Sequence, residues 1–150
     1  MRPTIFLGAD HAGFNLKNYL RRFLVDHGYE VVDVGATELD PNDDYPKYAL
    51  EVARNIKNKH ALGVLLCGNA EGVCIAANKV TGVRAAVGYS VYAARSSRND
   101  DSANIICLPA RVLKRDEASR ILLTFLTTSF SNAARHVRRV KAVQNIEKEN

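Results

Sequence analysis

An α/β fold, with a mostly parallel sheet covered by helices on both faces, follows from two patterns in the sequence. Short apolar runs recur at Ile5–Leu7, Val31–Val34, Leu62–Cys67, Val83–Val87 and Ile105–Leu108. Runs that are apolar at consecutive rather than alternate positions suit strands buried on both faces. Helical patterns lie between them, and strands alternating with helices imply parallel pairing through right-handed crossovers.

Each helix has its own signal. After the first strand, Leu16, Tyr19, Leu20, Phe23 and Leu24 fall on one helical face, and Gly28 supplies a left-handed stop. Pro46 suits the first turn of a second helix with Ala49, Val52, Ala53 and Ile56 as its stripe, and the polar Lys57–His60 connection leads into the central strand. Shorter helices are expected over Val73–Lys79 and Val91–Arg98. A fifth carries Ala118, Ile121, Leu122 and Phe125 on one face, and a sixth runs from about Ala133 to Glu147. In the last, Arg135 and Arg139 share one side while Val137 and Val140 take the other.

The composition bounds the function. The chain has 150 residues, 47% hydrophobic and 25% charged, an ordinary balance for a globular protein. At this length a domain buries roughly 70% of the surface its unfolded chain exposes, so a single domain, 1–150, is expected. The apolar run after Met1 is too short for a secretory segment and none approaches a membrane span, so a cytoplasmic protein without membrane contact is expected. Cys67, Cys74 and Cys107 have no paired spacing, which fits a reducing compartment.

The net charge is +5, and Arg135, His136, Arg138, Arg139 and Lys141 crowd into seven positions. A solvated helix face or a nucleic-acid patch are alternatives, but no aromatics interleave with these cations to stack bases. A small phosphate-bearing molecule satisfies the same charges, and no nucleic-acid partner is expected.

Ligands of parallel sheets bind beyond the carboxyl ends of the strands, which directs attention to 8–13, 35–45, 67–72, 88–90 and 109–111. The first strand ends in Gly8-Ala9-Asp10-His11-Ala12-Gly13. This superficially matches a dinucleotide loop, with Asp33 as the ribose-binding acid, but Asp10 stands where a pyrophosphate needs bare backbone. By position Asp10 serves as an N-cap of the first helix, whereas His11, at the mouth of the sheet, is suited to donate to a sugar or phosphate oxygen.

The central strand runs through Cys67 into Gly68-Asn69-Ala70-Glu71-Gly72 and a helix. Amides at such a turn favour a thiolate and can hold an oxyanion that develops on a substrate. A small apolar cysteine closing a buried strand is the bland alternative. The loop lacks the Gly-Lys-Ser/Thr ending of a Walker motif.

Together these blocks resemble type B ribose-5-phosphate isomerases and the related galactose-6-phosphate isomerase subunits over nearly the whole length. The resemblance rests on Gly8–Phe14, Asp44-Tyr45-Pro46, Cys67-Gly68, Gly72, Ile75–Lys79, Gly82–Ala85, Ser97-Arg98, Ala110–Val112, and Arg135 with Arg139. It implies a three-layer, Rossmann-like α/β/α fold with a five-stranded sheet and a C-terminal helix. It further implies a homodimer or dimer of dimers with a shared active site, no metal or cofactor, and a role in pentose phosphate metabolism. By the same resemblance Cys67 is the base of a cis-enediolate mechanism, helped by the Gly68–Gly72 loop with Asn69. His11, Arg111, Arg135 and Arg139 bind phosphate, Arg111 from the partner subunit, while Asp10 and Tyr45 line the sugar path. Val73 stands where some relatives carry a glutamate base, and Glu71 is read as loop-ordering or solvent-facing.

Two departures bear on substrate. Asp100 and Asp101 occupy the places of a ring-opening histidine and a sugar-contacting asparagine. An ionised carboxylate has no proton to give a ring oxygen, so Asp100 takes the catalytic place under altered chemistry. A hexose 6-phosphate substrate (galactose or allose 6-phosphate) and a partly degenerate partner subunit are the alternatives. A metal site from His11, Cys67 and Cys107 is a further one, though the spacing matches no regular zinc pattern.

Overall fold

The computed structural model describes residues 1–57 and 60–150, so residues 58 and 59 of the expected Lys57–His60 connection lie outside the described residues. Its centre is β3 (Ala61–Cys67), buried at all seven positions. On one side β3 pairs with β1 (Thr4–Ala9), and on the other with β5 (Ile105–Pro109). The short strands β2 (Val31–Asp33) and β4 (Ala85–Val87) form the edges, giving the order β2-β1-β3-β5-β4. All four pairings are parallel.

Side-chain alternation along the central strands divides the core. Ile5, Leu7, Val64, Leu66, Ile106 and Leu108 face α1 (Phe14–Asp26), α4 (Val91–Asp101) and α5 (Arg115–Thr127). Phe6, Leu65, Cys67, Ile105 and Cys107 face α2 (Tyr45–Ile56) and α3 (Glu71–Ala77). Apolar residues at consecutive positions are thus consumed by opposite faces. The edges depart from the expectation of full burial. Val32 and Asp33 are exposed and β4 is only half-buried, because a strand with one neighbour has less helix above and below it.

The helices follow the expected stripes, with shifted ends. Gly28 follows α1 at φ +78°, the left-handed stop that its lack of a Cβ permits. Pro46 sits in the first turn of α2. Helix α3 begins at Glu71, two residues before the expected start, and α4 continues to Asp101, three beyond the expected end. Helix α6 (Ala134–Ile146) buries only His136, and Val143 and Ile146 are 50% and 57% exposed. Its apolar side has little to cover it within one chain.

Lys17 shows what Asp33 does instead of serving a ribose. It lies on the core face of α1 with no exposed surface. Its ammonium donates to both oxygens of Asp33, at 2.9 and 2.8 Å, and to the Ala36 carbonyl at 2.9 Å. Three acceptors match the three protons of an ammonium. Asp33 therefore closes the start of the loop after β2 and is not a free acid for a ribose.

Candidate active site

The strand order itself creates a crevice. From β1 the chain passes through α1 to β2 on one side, while β3 lies on the other and leads into α3 on the opposite face. Loops leaving two adjacent parallel strands toward opposite faces open a cleft at their carboxyl ends. Ala9 pairs with Leu66 in register, so Asp10 and His11 emerge beside Cys67.

A cleft of about 260 Å3 occupies this point, with Asp10, His11 and Ala12 on one wall, Cys67, Gly68 and Asn69 on another, and Tyr45 and Arg111 closing it. A larger depression of about 650 Å3 runs along α6, lined by Ala134, Val137 and Lys141 among others. Only the smaller cleft gathers a thiol, an imidazole, a carboxylate and a guanidinium.

Two glycines set its walls. A Cβ on Gly72 would stand 2.6 Å from the Tyr45 ring, and one on Gly68 would stand 2.8 Å from an Arg111 guanidinium nitrogen. Both contacts are closer than side chains tolerate, so the bare backbone lets Tyr45 and Arg111 lie against the 68–72 loop. That loop turns at Ala70, buried and left-handed at φ 67°, and Asn69 orders it by accepting from the Glu71 amide at 3.1 Å. Glu71 is exposed.

Asp10 is buried and its carboxylate accepts from the amides of Ala12 and Gly13 at 3.0 and 3.2 Å. The N-cap of α1 is Gly13, so Asp10 closes the preceding turn instead of capping the helix, because the chain makes one more turn before α1 begins. The carboxylate also occupies amides that a pyrophosphate would need, which, with Asp33 engaged by Lys17, removes the dinucleotide reading.

His11 is held by a residue the sequence reading missed. Asp43 is buried; its Oδ1 accepts from the His11 backbone amide at 2.9 Å and lies 2.9 Å from His11 Nδ1. Its Oδ2 accepts from the Tyr48 hydroxyl at 2.9 Å. The hydrogen bond to Asp43 is the main cause that raises the His11 pKa, against some burial and with the Asp10 charge adding to it. Burial pushes the Asp43 carboxyl up, but donors from His11 and Tyr48 outweigh it and hold the group below its ordinary value. Burial, followed by the Asp43 hydrogen bond, raises the Tyr48 phenol, which stays a donor. Asp43 escaped notice because two adjacent acids in a loop read as solvated surface; a partner five residues on, Tyr48, was the available signal.

The thiol of Cys67 is 4% exposed and lies 3.8 Å from Asn69 Oδ1. Cys107, on the same sheet face, has no exposed surface, and burial, then the neighbouring Cys74, raises its thiol well above the ordinary range. Among the described residues no group of three or more His, Cys, Asp or Glu side chains is placed to hold a metal.

The remaining expected residues stand elsewhere. Asp100 lines a depression with Tyr92, Arg95, Ser96 and Asn99, accepts from Asn99 at 2.7 Å and lies 3.7 Å from Nε2 of buried His136. Asp101 and Arg139 line another with Arg84 and Asn78, and Arg135 is exposed on α6. The reason is topological: α4 returns from β4 to β5, so its last residues lie at the amino ends of the strands. Arg111 is a correction of the opposite kind, since it lines the cleft of its own chain instead of coming from a partner.

The family model described as Ribose/Galactose Isomerase matches residues 5–143. A probable ribose-5-phosphate isomerase B of Mycoplasma genitalium is 41% identical, with 99% of each chain covered. The structure of a Clostridium thermocellum ribose-5-phosphate isomerase B is 42% identical at a TM-score of 0.93, covering 97% of this chain and 98% of that one. A Mycoplasma genitalium ribose-5-phosphate isomerase B with bound ribulose-5-phosphate is 40% identical at a TM-score of 0.94, covering 100% and 99%. With matches this extensive in both sequence and fold, the chain belongs to the ribose/galactose isomerase family, as a relative of the type B ribose-5-phosphate isomerases.

Proposed function

We propose that this protein is an aldose–ketose isomerase that interconverts ribose 5-phosphate and ribulose 5-phosphate. The observation that carries the reading is the convergence of Cys67, His11 and Arg111 in one cleft between β1 and β3. Such an isomerisation needs a base at C1 and C2 and cations for a phosphate several atoms away. Cys67, as the base, takes the proton from C2 of the open aldose, and the carbonyl at C1 becomes the oxyanion of a cis-enediolate. Amides of the 68–72 loop hold that oxygen. The proton returns at C1 while the C2 hydroxyl proton passes to the C1 oxygen, so that the carbonyl forms at C2 and the C1 oxygen ends as a hydroxyl. His11 and Arg111 hold the phosphate, while Asp10 and Tyr45 line the path of the sugar hydroxyls.

The active form is a homodimer or a dimer of dimers. Asp100, Asp101, Arg135 and Arg139 lie outside the cleft of their own chain, and a second copy supplies them. The half-exposed Val143 and Ile146 of α6 give such a copy apolar surface to cover. Among the described residues no helix is long and apolar enough to cross a membrane, and the three free thiols suit the cytosol.

Asp100, in place of a ring-opening histidine, favours a second reading in which the substrate is a hexose 6-phosphate or the chain serves as a partner subunit. The deciding experiment measures turnover of ribose 5-phosphate and ribulose 5-phosphate in D2O, with galactose and allose 6-phosphates alongside. Pentose turnover with deuterium entering C1 or C2 supports the proposal. Turnover of hexose phosphates alone, or of none, would sink it.

A further inference from the structure

We propose that Asp43, braced by Tyr48, is the positioning residue that fixes His11 with its proton on Nδ1 and leaves Nε2 as the one titrating ring atom facing the substrate's phosphate. The inference rests on the isomerase reading for the substrate and for its phosphate lying at His11, and on geometry for the hold on Nδ1. Asp43 Oδ1 receives both the backbone amide and the ring Nδ1 of His11, each at 2.9 Å, so the ring is held at two points of its own residue. Its other oxygen is tied to the Tyr48 hydroxyl at 2.9 Å, and the carboxylate side chain is 1% exposed. With these donors around it the carboxylate is ionised and has only lone pairs to offer. Nδ1 must therefore carry the hydrogen.

That assignment opposes the preference of a free neutral imidazole for the other tautomer and leaves Nε2 to gain or lose the second proton. The groups around His11 are Asp10 and Asp43 on its own side and Cys67, Tyr45 and Arg111 across the cleft. Lys47 packs over the Tyr48 ring behind Asp43, at 4.8 Å. Asp43 and Asp10 favour the charged ring, whose Nε2–H then donates to an anionic oxygen beside Arg111. A neutral ring presents a lone pair at the same atom, which repels that oxygen. Affinity for the phosphate is consequently retained while His11 is charged and falls as pH rises through its raised pKa.

The test begins with nitrogen-15 NMR of the wild-type protein across pH. A neutral His11 protonated on Nδ1, titrating above an ordinary histidine, is expected. In Asp43→Asn, which keeps an acceptor oxygen but removes the charge, His11 should titrate at lower pH. KM for ribose 5-phosphate should rise roughly tenfold or more, the worth of one charge-assisted hydrogen bond. kcat should change much less, and the loss of affinity should move to lower pH. A merely structural Asp43 would lower stability without moving either titration. Neutral His11 protonated on Nε2 in the wild type, a titration unmoved by Asp43→Asn, or an unchanged KM would each overturn the proposal. If the protein turns over no sugar phosphate, the isomerase reading fails instead, and the imidazole titration and the affinity for inorganic phosphate still decide the role of Asp43.

Discussion

Cys67 and Asp100 stand at opposite ends of one sheet: Cys67 closes β3 at its carboxyl end, and Asp100 lies in the last turn of α4, the helix that returns to the amino end of β5. No side-chain rotation brings one to the other, so a site using both needs two chains. Arg111 lies with Cys67 in this division, and Arg135 and Arg139 do not. An Arg111→Ala chain mixed with an Arg135→Ala chain should regain activity that neither has alone, because one of the two sites in a mixed dimer keeps both arginines. Mixed dimers, verified by mass, that stay inactive would confine the site to one chain.

Cys67→Ala should lower kcat by at least about a hundredfold while leaving substrate affinity nearly intact, given that a positioned proton-transfer base contributes ~10²–10⁴. Iodoacetamide should inactivate the wild type, with ribose 5-phosphate protecting it. Steady-state kinetics that find the variant as fast as the wild type would remove the thiol from the mechanism.

Asp100 should limit the aldose direction. An ionised carboxylate cannot protonate a ring oxygen, whereas ribulose 5-phosphate is already linear. Asp100→His should raise turnover of ribose 5-phosphate selectively, measured against ribulose 5-phosphate under the same conditions. If Asp100→Asn leaves both directions unaffected, ring opening belongs to another residue, and His11 is the first to replace.

Asp33→Asn should destabilise the fold strongly even though Asp33 touches no part of the cleft. It leaves the Lys17 ammonium, which has no exposed surface, without its counter-charge; because the Asp33 side chain keeps partial solvent contact, the cost falls at or below the ~3–5 kcal/mol of breaking a fully buried pair. Urea unfolding would detect this, and a midpoint within error of the wild type would refute it. Lys17→Met, which removes the buried charge altogether, should cost less.

The His11–Asp43 pair should contribute to stability in a bounded pH window. Asp43 has a depressed pKa, so its part is present above about pH 4, the ordinary carboxylate value, and is lost as pH falls through the folded value. His11 has a raised pKa, so its part is present below about pH 6.5 and is lost as pH rises through the folded value. The difference in Tm between wild type and His11→Asn should be largest between these limits. A difference that is flat from pH 4 to 9 would contradict the pairing.

Local pattern alone determined which segments are strands and which are helices. The consecutive apolar runs at 5–7, 62–67 and 105–108 became the buried centre of the sheet, and Gly28 and Pro46 bounded their helices as expected. These signals are short-range: a β-branched run, a stripe of period 3.6 and a residue able to take positive φ act within a few positions. Most residues of the cleft were legible too, since they end a strand or lie in the loop that follows one, whereas Tyr45 opens α2 and was pointed to by the family resemblance. What only the tertiary structure decided was pairing. Asp43 and its neighbour Asp44 both read as loop acids, with Tyr48 five residues on as the one faint local signal, yet Asp43 is the one turned inward to His11 and Tyr48. Lys17 looked like any polar position on α1 until Asp33 arrived from the next strand, and Arg111 was assigned to a partner until the turn after β5 brought it against Gly68. A charge buried by folding is selected by what lies opposite it across the sheet or the cleft, and that distance in sequence carries no period to read.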